Sequence, residues 1–240
     1  MANNAKIHIS RRLSQIAVMV KHDTVVDIGT DHGHLPIYLL TKRIAKAVLA
    51  TDINSGPLLS AQKNIESFEA LCYAGLSRAI KTKLADGLLG VNVKDYKTCI
   101  ISGMGGNLIM NILNQSIDIA KSFDQLILSP QKNIADVRMF LHQHGFCIDD
   151  EVMLEESGRY YNILDVSRAK QEPYSSLGYA FGEKLIQRKC NALKSFVEEE
   201  IAKTNRIIKG IKGENANKTK LEEYLLKCKE VMICLQLCSK

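Results

Sequence analysis

Apolar residues follow two different spacings over the first two thirds of the chain, and the two spacings alternate. Short apolar runs, of the kind that form buried strands, occur at 24–29, 46–53, 79–87, 98–106 and 125–130. Between and before them, apolar residues recur every three or four positions, which predicts helices at 10–21, 35–43, 57–68, 107–121 and 134–144. Strands that alternate with helices favour a parallel sheet with right-handed crossovers.

Two further extended runs end this part of the chain. They cover residues 146–156 and 159–168 and are joined by Ser157-Gly158, a pair typical of a hairpin turn. We therefore expect an α/β domain over residues 1–170, built on a doubly wound seven-stranded sheet that ends in an antiparallel pair.

The pattern changes after the stretch 170–176, which contains Pro173 and is interpreted as a linker. From Tyr179 to Ile211 the apolar residues mostly keep a spacing of three or four, which predicts a helix. From Leu221 the steps alternate between four and three, as in a coiled coil. The intervening segment is polar and contains two glycines, so the helices should fold back as an antiparallel hairpin and form a second domain, 171–240.

Composition limits the class of protein. Hydrophobic residues make up 46% and charged residues 24%, which is ordinary for a soluble globular chain. No apolar run approaches the ~20 residues needed to cross a bilayer. The start, MANNAKIHISRR, lacks the apolar core of a signal peptide, so a cytoplasmic location is expected. The seven cysteines include no CxxC pair, which favours reduced, buried thiols over a metal or disulfide framework.

The net charge of +6 is concentrated in the last third of the chain. Residues 171–240 hold 13 Lys/Arg and 9 Asp/Glu. One interpretation is a solvated helix surface, and the other is a patch that meets a polyanion, because lysine and arginine displace counterions from phosphate backbones. Charge alone leaves both open.

The stretch VVDIGTDHGHLP (25–36) begins like a nucleotide-binding turn and then departs from that pattern. Dinucleotide enzymes place a second glycine where this chain has Asp31, because their backbone approaches a pyrophosphate. A carboxylate there would repel phosphate. S-adenosylmethionine brings an ammonium and a sulfonium cation instead, and Asp27 and Asp31 would attract both. The motif therefore favours a cationic cofactor over an anionic one.

Two more carboxylates follow at the next strand ends. Asp52 lies about 20 residues beyond the glycine turn, where such folds bind ribose hydroxyls. Asp86, in ADGL, is placed to accept from an adenine amino group beside Gly87. Each aspartate alone is equally explained as a helix cap, but three at successive strand ends make methyl transfer from S-adenosylmethionine the leading interpretation. A nicotinamide-dependent oxidoreductase shares the fold, and Asp31 argues against it.

The fourth strand ends in SGMGG (102–106), where an enzyme of this type presents its acceptor. The chain contains no Pro-Pro pair for clamping an exocyclic amine and no Pro-Cys for attack on a pyrimidine carbon. An acceptor that is already nucleophilic, such as a ring nitrogen, needs positioning in line with the methyl–sulfur bond more than it needs a base. The DHGH stretch (31–34) offers too few ligands for a metal site and is explained as a helix-capping turn.

Together, in this order, DIGTDHGHLP, ADGL, GMGG, LILSPQ with DVRMFL, and ESGRYYNIL resemble the bacterial tRNA adenine-22-N1 methyltransferases over the whole chain. The resemblance implies a Rossmann-like class I methyltransferase domain, a coiled-coil-like C-terminal helical hairpin, S-adenosylmethionine as cofactor and tRNA as partner. It implies direct displacement by N1 of an adenine that is unpaired or flipped out of its helix. The cofactor contacts are then expected at Asp27, Gly29, Asp31, His32, Asp52, Ile53, Asn54, Asp86, Gly87, Gly103 and Met104.

Substrate contacts are expected in two places. One set would lie near the acceptor: Arg11, Arg12, Asn107, Pro130, Gln131 and Tyr161. The two arginines would contact phosphate there or, equally, be solvated at the surface. Lys203, Lys209 and Lys212 would meet the RNA backbone from the helical hairpin. A monomer without metal or membrane association is expected. The alternatives are a methyltransferase that acts on another RNA ring nitrogen, and an RNA-binding module without catalysis.

Overall fold

The structure of the protein is a computed structural model, which describes residues 7–71, 74–92, 94–211 and 216–236. The strands are β1 Thr24–Ile28, β2 Ala47–Asp52, β3 Ile80–Leu84, β4 Thr98–Met104, β5 Gln125–Pro130, β6 Cys147–Glu156 and β7 Arg159–Ser167. The helices are α1 Arg11–Met19, α2 His34–Thr41, α3 Ser55–Leu71, α4 Leu76–Ala79, α5 Gly106–Gln115, α6 Ile117–Ala120, α7 Ile134–Gln143, α8 Ser176–Phe181, α9 Glu183–Gln187, α10 Asn191–Gly210 and α11 Ala216–Gln236.

All seven strands form one sheet, in the order β3-β2-β1-β4-β5-β7-β6. β1 to β5 pair in parallel, and β7 is antiparallel to β5. The order reverses between β1 and β4, and ligands of such sheets bind beyond the carboxyl ends of the strands at that point. The prediction of a doubly wound sheet with an antiparallel end is confirmed, as is the hairpin turn, where Ser157 and Gly158 both have positive φ.

The apolar runs of the sequence form the buried core on the two faces of the sheet. Val25, Val26, Ile100, Ile101 and Ile127 are fully buried, as expected for strands covered by helices on both faces. The predicted helix 107–121 is divided: α5 ends at Gln115, and the short α6 begins after Ser116.

A buried glutamine fixes α1 to the sheet. The Gln125 side-chain amide donates to the carbonyl of Met19 and to Asp165 Oδ1, both at 2.7 Å. Its oxygen accepts from the Lys21 backbone at 3.0 Å and from the Thr98 hydroxyl at 2.9 Å. Because every polar atom of this buried side chain is satisfied, the end of α1 has a defined position over the sheet.

The described chain forms two compact units. The first comprises residues up to 150 together with 161–171, and the second comprises 151–160 and the chain from Glu172 onward. In the second unit, α10 and α11 pack against each other as a helical hairpin around buried Leu193, Val197 and Val231. Tyr160 belongs to this unit, and its hydroxyl donates to Glu199 at 2.6 Å.

The prediction of an uninterrupted helix from Tyr179 to Ile211 is wrong. The chain forms α8, α9 and α10, separated at Gly182, with φ of 96°, and at Lys189, with φ of 52°. A side chain at residue 182 would overlap the carboxylate of buried Glu151, so the backbone passes closely there. The break at Gly182 arises from packing against this carboxylate, which the spacing of apolar residues does not encode.

Candidate active site

A cavity of about 640 Å³ opens at the carboxyl ends of the parallel strands of the first unit. It is lined by all the residues predicted to bind the cofactor: Asp27, Gly29, Asp31, His32, Asp52, Ile53, Asn54, Asp86, Gly87, Gly103 and Met104. Arg12 and Gln131, from the predicted substrate contacts, line it as well. The cavity therefore brings together residues that are up to 119 positions apart in sequence, from Arg12 on α1 to Gln131 after β5.

The turn after β1 is held against the neighbouring strand. The N–H groups of Gly29 and Thr30 both donate to the carbonyl of Thr51, at 2.8 and 2.9 Å. Gly29 has φ of 72° and Asp31 has φ of 54°, and aspartate is among the few non-glycine residues that tolerate this left-handed region. Gly33 follows with φ of 70° and is the N-cap residue of α2. The turn therefore directs Asp31 outward while the backbone stays close to the strand ends.

Asp27 is the buried acidic group of the cavity, with 3% of its surface exposed. Burial raises the pKa of its carboxyl to about 6, the Thr30 side chain and the Arg12 guanidinium oppose part of this rise, and Asp52 adds to it. A carboxylate in this environment is stabilised by a cation more than one in water would be.

Asp31 and His32 lie at the mouth of the cavity. Their side chains are 70% and 54% exposed, and Nε2 of His32 is 3.6 Å from a carboxylate oxygen of Asp31. The Asn64 side chain donates to the His32 carbonyl at 2.9 Å and so fixes the loop to α3. Across the described ranges, no group of three His, Cys, Asp or Glu side chains is arranged to hold a metal ion.

The ends of β2 and β3 supply the next two aspartates. One oxygen of Asp52 accepts the Asn54 N–H at 2.9 Å, which orients the carboxylate. Asp86 is exposed, and Gly87 beside it is buried with φ of 56°. A side chain at Gly87 would lie 2.8 Å from Ile112, so the backbone and α5 form a closely packed wall at this point.

Gly103, Met104 and Arg12 form the corner of the cavity at the end of β4. Gly103 has φ of 78°, and a Cβ there would lie 3.3 Å from Nη1 of Arg12. The Met104 side chain lies against Gly29, where a Cβ would overlap its terminal methyl group. The Arg12 guanidinium lies over the ring of Tyr161, 5.5 Å from its centroid.

The other predicted substrate contacts are dispersed. Arg11 and Asn107 are exposed, Pro130 is buried in β5 opposite Met104, and Tyr161 reaches the site only through Arg12. Lys203 and Lys209 are exposed on α10, and Lys212 lies outside the described residues. None of the described residues in this set lines the cavity.

Sequence reasoning missed an apolar part of the lining, which includes Leu13, Leu35, Pro57, Leu108 and Ile112. Leu108 and Ile112 are four positions apart on α5, so the periodicity of that helix carried the signal. In the described part of the chain, no helix has the length and apolar character needed to span a membrane.

Comparison with known proteins gives one consistent family. The model of the tRNA (adenine(22)-N(1))-methyltransferases, TrmK, matches residues 25–230. The tRNA (adenine(22)-N(1))-methyltransferase of Bacillus subtilis is 30% identical over 227 residues, which cover 91% of this chain and 93% of that protein.

Solved structures agree with this result. A Mycoplasma capricolum TrmK in complex with S-adenosyl-homocysteine is 28% identical, with a TM-score of 0.83 over 95% of this chain and 99% of that one. A candidate tRNA (m1A22) methyltransferase of Streptococcus pneumoniae, in complex with S-adenosyl-L-methionine, is 31% identical, with a TM-score of 0.84 over 94% of this chain and 100% of that one. The seven-stranded sheet is thus a Rossmann-like methyltransferase fold, and the chain belongs to the tRNA (adenine(22)-N(1))-methyltransferase family.

Proposed function

We propose that the protein transfers a methyl group from S-adenosylmethionine to N1 of adenine 22 in tRNA. The observation that carries this proposal is that Asp27, Asp31, Asp52 and Asp86, from three strand ends, surround one cavity beside a glycine turn. Four carboxylates would repel the pyrophosphate of a dinucleotide and attract a cofactor with an ammonium and a sulfonium group.

The residues present fit this cofactor. Asp27 and Asp31 would attract its cationic methionine end, and Asp52 would accept from the ribose hydroxyls. Asp86 would accept from the adenine amino group. Ile53, with 59% of its surface exposed, would offer an apolar face to the base. An exposed isoleucine beside an acidic pocket is explained if the aromatic ring of a ligand covers it and removes its apolar surface from water.

S-adenosylmethionine supplies an activated methyl group, and the chain positions the acceptor for it. The lone pair of adenine N1 lies in the ring plane and is free at neutral pH, so N1 attacks without losing a proton. The N1–methyl bond forms as the methyl–sulfur bond breaks, and the positive charge passes from sulfur to the base. The reaction therefore needs no general base. The site must align N1 with the methyl–sulfur bond and must stabilise, or at least not oppose, the positive charge that develops on the base.

Gly103, Met104 and Gln131 are proposed to form the acceptor side of the cavity. A glycine at residue 103 lets the base approach the backbone at the end of β4, and the flexible thioether of Met104 adapts to its flat face. Pro130 is proposed to shape this strand end, with its buried ring opposite Met104. Asn107 and Arg11, both exposed, are proposed to contact the RNA near the acceptor.

Contact with the body of the tRNA is proposed for residues 171–240. Lys203, Arg206 and Lys209 lie on the last turns of α10 and are exposed. Lys203 also forms an ion pair with the Glu200 carboxylate at 2.9 Å, and Arg206 and Lys209 follow it on the same helix. Phosphate contacts by these side chains would release counterions and make binding depend on salt.

We also propose that the protein acts in the cytoplasm as a monomer and without a metal ion. In-line displacement by a nitrogen needs no Lewis acid, because N1 already has a free lone pair and the sulfonium is already a good leaving group. Light scattering of the purified protein, alone and with tRNA, measures the oligomeric state directly.

The proposed reaction is tested with tRNA transcripts that differ only at position 22. A transcript with adenine is expected to accept one methyl group, whereas transcripts with guanine or 1-deazaadenine at that position accept none. The second substitution removes only the ring nitrogen, so it separates attack by N1 from attack by the exocyclic amine. Equal methylation of all three transcripts would overturn the assignment of the acceptor.

A further inference from the structure

Arg12 is the single lysine or arginine among the described residues that line the cavity. The acidic side chains there are the four aspartates. A strongly acidic pocket explains how the cations of S-adenosylmethionine are held, but the methionine end of that molecule also carries a carboxylate. Without a cation nearby, this carboxylate would face like charges in a partly dry cavity, which is unfavourable.

We infer that Arg12 binds the carboxylate of the cofactor's methionine moiety, instead of an RNA phosphate as the sequence suggested. The inference rests on the proposed use of S-adenosylmethionine and adds a residue to its binding site. The carboxylate and the ammonium of an amino acid are attached to the same carbon, so their partners must be neighbours. Arg12 and Asp27 meet this requirement. Both line the cavity, and the positive charge of the guanidinium lowers the pKa of the Asp27 carboxyl.

The position of Arg12 is fixed by packing. Ser10 caps α1 by accepting from the Leu13 N–H at 3.2 Å, and Gln125 holds the other end of the helix at Met19. The guanidinium lies over the Tyr161 ring and beside Gly103. A planar guanidinium held on two sides presents its donors in a fixed fork, which matches a carboxylate.

Arg11 provides the contrast. It precedes Arg12 on the same helix but is exposed and does not line the cavity, because successive residues of a helix point in different directions. An RNA phosphate outside the cavity is accessible to Arg11, whereas Arg12 is directed to the site of the cofactor. Arg11 is therefore the matched control for a loss of positive charge on α1.

The test is a comparison of two ligands by titration calorimetry at fixed salt and without tRNA. The ligands are S-adenosylmethionine and decarboxylated S-adenosylmethionine, which keeps both cations. Wild-type protein is expected to prefer the first by roughly 10- to 100-fold, the effect of hydrogen bonds to a charged group. Arg12→Met should lose most of this preference and bind the decarboxylated ligand about as well as wild type. Arg11→Met should retain the full preference.

Other outcomes have definite meanings. If Arg12→Met weakens both ligands equally, Arg12 shapes the cavity without contacting the carboxylate, and the inference is overturned. It is also overturned if Arg12→Met keeps the ligand preference but loses tRNA affinity with a shallower salt dependence, since that identifies a phosphate contact.

One further variant keeps the result decisive. Arg12→Lys retains the charge and loses the fork, so an intermediate preference is expected even if Arg12→Met does not fold. If wild-type protein binds neither ligand, the proposed function fails, which is distinguishable from a failure of the role of Arg12.

Discussion

At the scale of single residues, the two aspartates of the first turn should interact differently with a bound cation because they differ in burial. Asp27 is buried, and its pKa is raised to about 6, whereas Asp31 has a mostly exposed carboxylate at the mouth of the cavity. A buried carboxylate gains more from a bound cation than an exposed one does, since solvent and salt screen the latter. Substitutions at the two positions should therefore differ in pH dependence and in salt dependence.

Asp27→Asn is expected to weaken S-adenosylmethionine binding and to remove its pH dependence near pH 6. In wild-type protein, affinity should fall as the pH drops through about 6, because the protonated Asp27 no longer attracts a cation. The measurement is the dissociation constant between pH 5 and 8 for both proteins. Identical pH profiles would show that Asp27 does not titrate with the binding site.

The same substitution should stabilise the protein without cofactor. The pKa of Asp27 is 3.8 in the unfolded chain and about 6 in the folded protein. The folded state therefore has its full stability below pH 3.8, where the carboxyl is protonated, and loses part of it as pH rises through about 6 and the buried group ionises. At pH 7 the buried charge therefore costs stability on the order of 1–3 kcal/mol, a cost that is absent when a neutral asparagine replaces it. Thermal unfolding at pH 7 checks this, and a lower midpoint for Asp27→Asn would contradict it.

Asp31→Asn is expected to weaken cofactor binding several-fold at low salt and less at high salt. Asparagine tolerates the left-handed backbone of this residue, so the substitution changes the charge and leaves the turn intact. Titrations at two salt concentrations measure the effect. A loss that is independent of salt would indicate a missing hydrogen bond instead of screened attraction.

The polar and glycine residues of the cavity could be predicted, because strand ends and turns have recognisable sequence patterns. The separate roles of Arg11 and Arg12 could not, since the direction of a side chain depends on the rotation of α1 over the sheet. Gln125 sets that rotation through hydrogen bonds to Met19 and Asp165, which are 106 and 40 positions away in sequence. Contacts of this range carry no local pattern.

At the scale of elements, the strands were more predictable than the helix ends. Apolar runs buried on both faces identify β1, β2, β4 and β5, whereas the breaks at Gly182 and Lys189 depend on tertiary structure. An isolated glycine in a helical pattern is often tolerated, and a lysine with positive φ has no sequence signal at all. The alternation of strands and helices thus specifies the topology better than the boundaries.

The turn from β4 into α5 offers an element-scale prediction. Gly106 donates to the Lys132 carbonyl at 3.0 Å, and a Cβ there would overlap that backbone oxygen. Gly106→Ala should therefore lower the free energy of unfolding by about 1–3 kcal/mol or more, since α5 must move away from the β5–α7 loop.

The neighbouring glycine is the control for this prediction. Gly105 has φ of −67°, and a Cβ there would meet nothing within 4 Å, so Gly105→Ala should be nearly neutral in denaturant unfolding. Equal effects of the two substitutions would show that the close approach at Gly106 does not limit the packing.

At the scale of the whole molecule, the two compact units divide the proposed function between them. The first contains every residue of the cavity, and the second carries the exposed lysines of α10. The second unit also includes residues 151–160 of the β6–β7 hairpin, so truncation near residue 170 would cut it in two. Charge reversal is the sharper way to test RNA contact.

Lys203→Glu combined with Lys209→Glu should weaken tRNA binding and leave S-adenosylmethionine affinity unchanged. The slope of log K against log salt should decrease by roughly 0.7–0.9 for each phosphate that the protein no longer neutralises. The control is Lys227→Glu with Lys229→Glu, two exposed lysines in the second half of α11. An equal decrease in both double variants would indicate a general charge effect instead of a specific contact.

The central claim, methyl transfer to N1 of adenine 22, is tested most directly by mass mapping of methylated nucleosides. Unmodified tRNA is incubated with the protein and S-adenosylmethionine, digested to nucleosides and, in parallel, to oligonucleotides that locate the modification. We predict 1-methyladenosine as the new nucleoside, confined to position 22 and reduced when the Asp27→Asn variant replaces wild-type protein. Methylation of the exocyclic amine, methylation at another position, or no methylation with bound cofactor would contradict it.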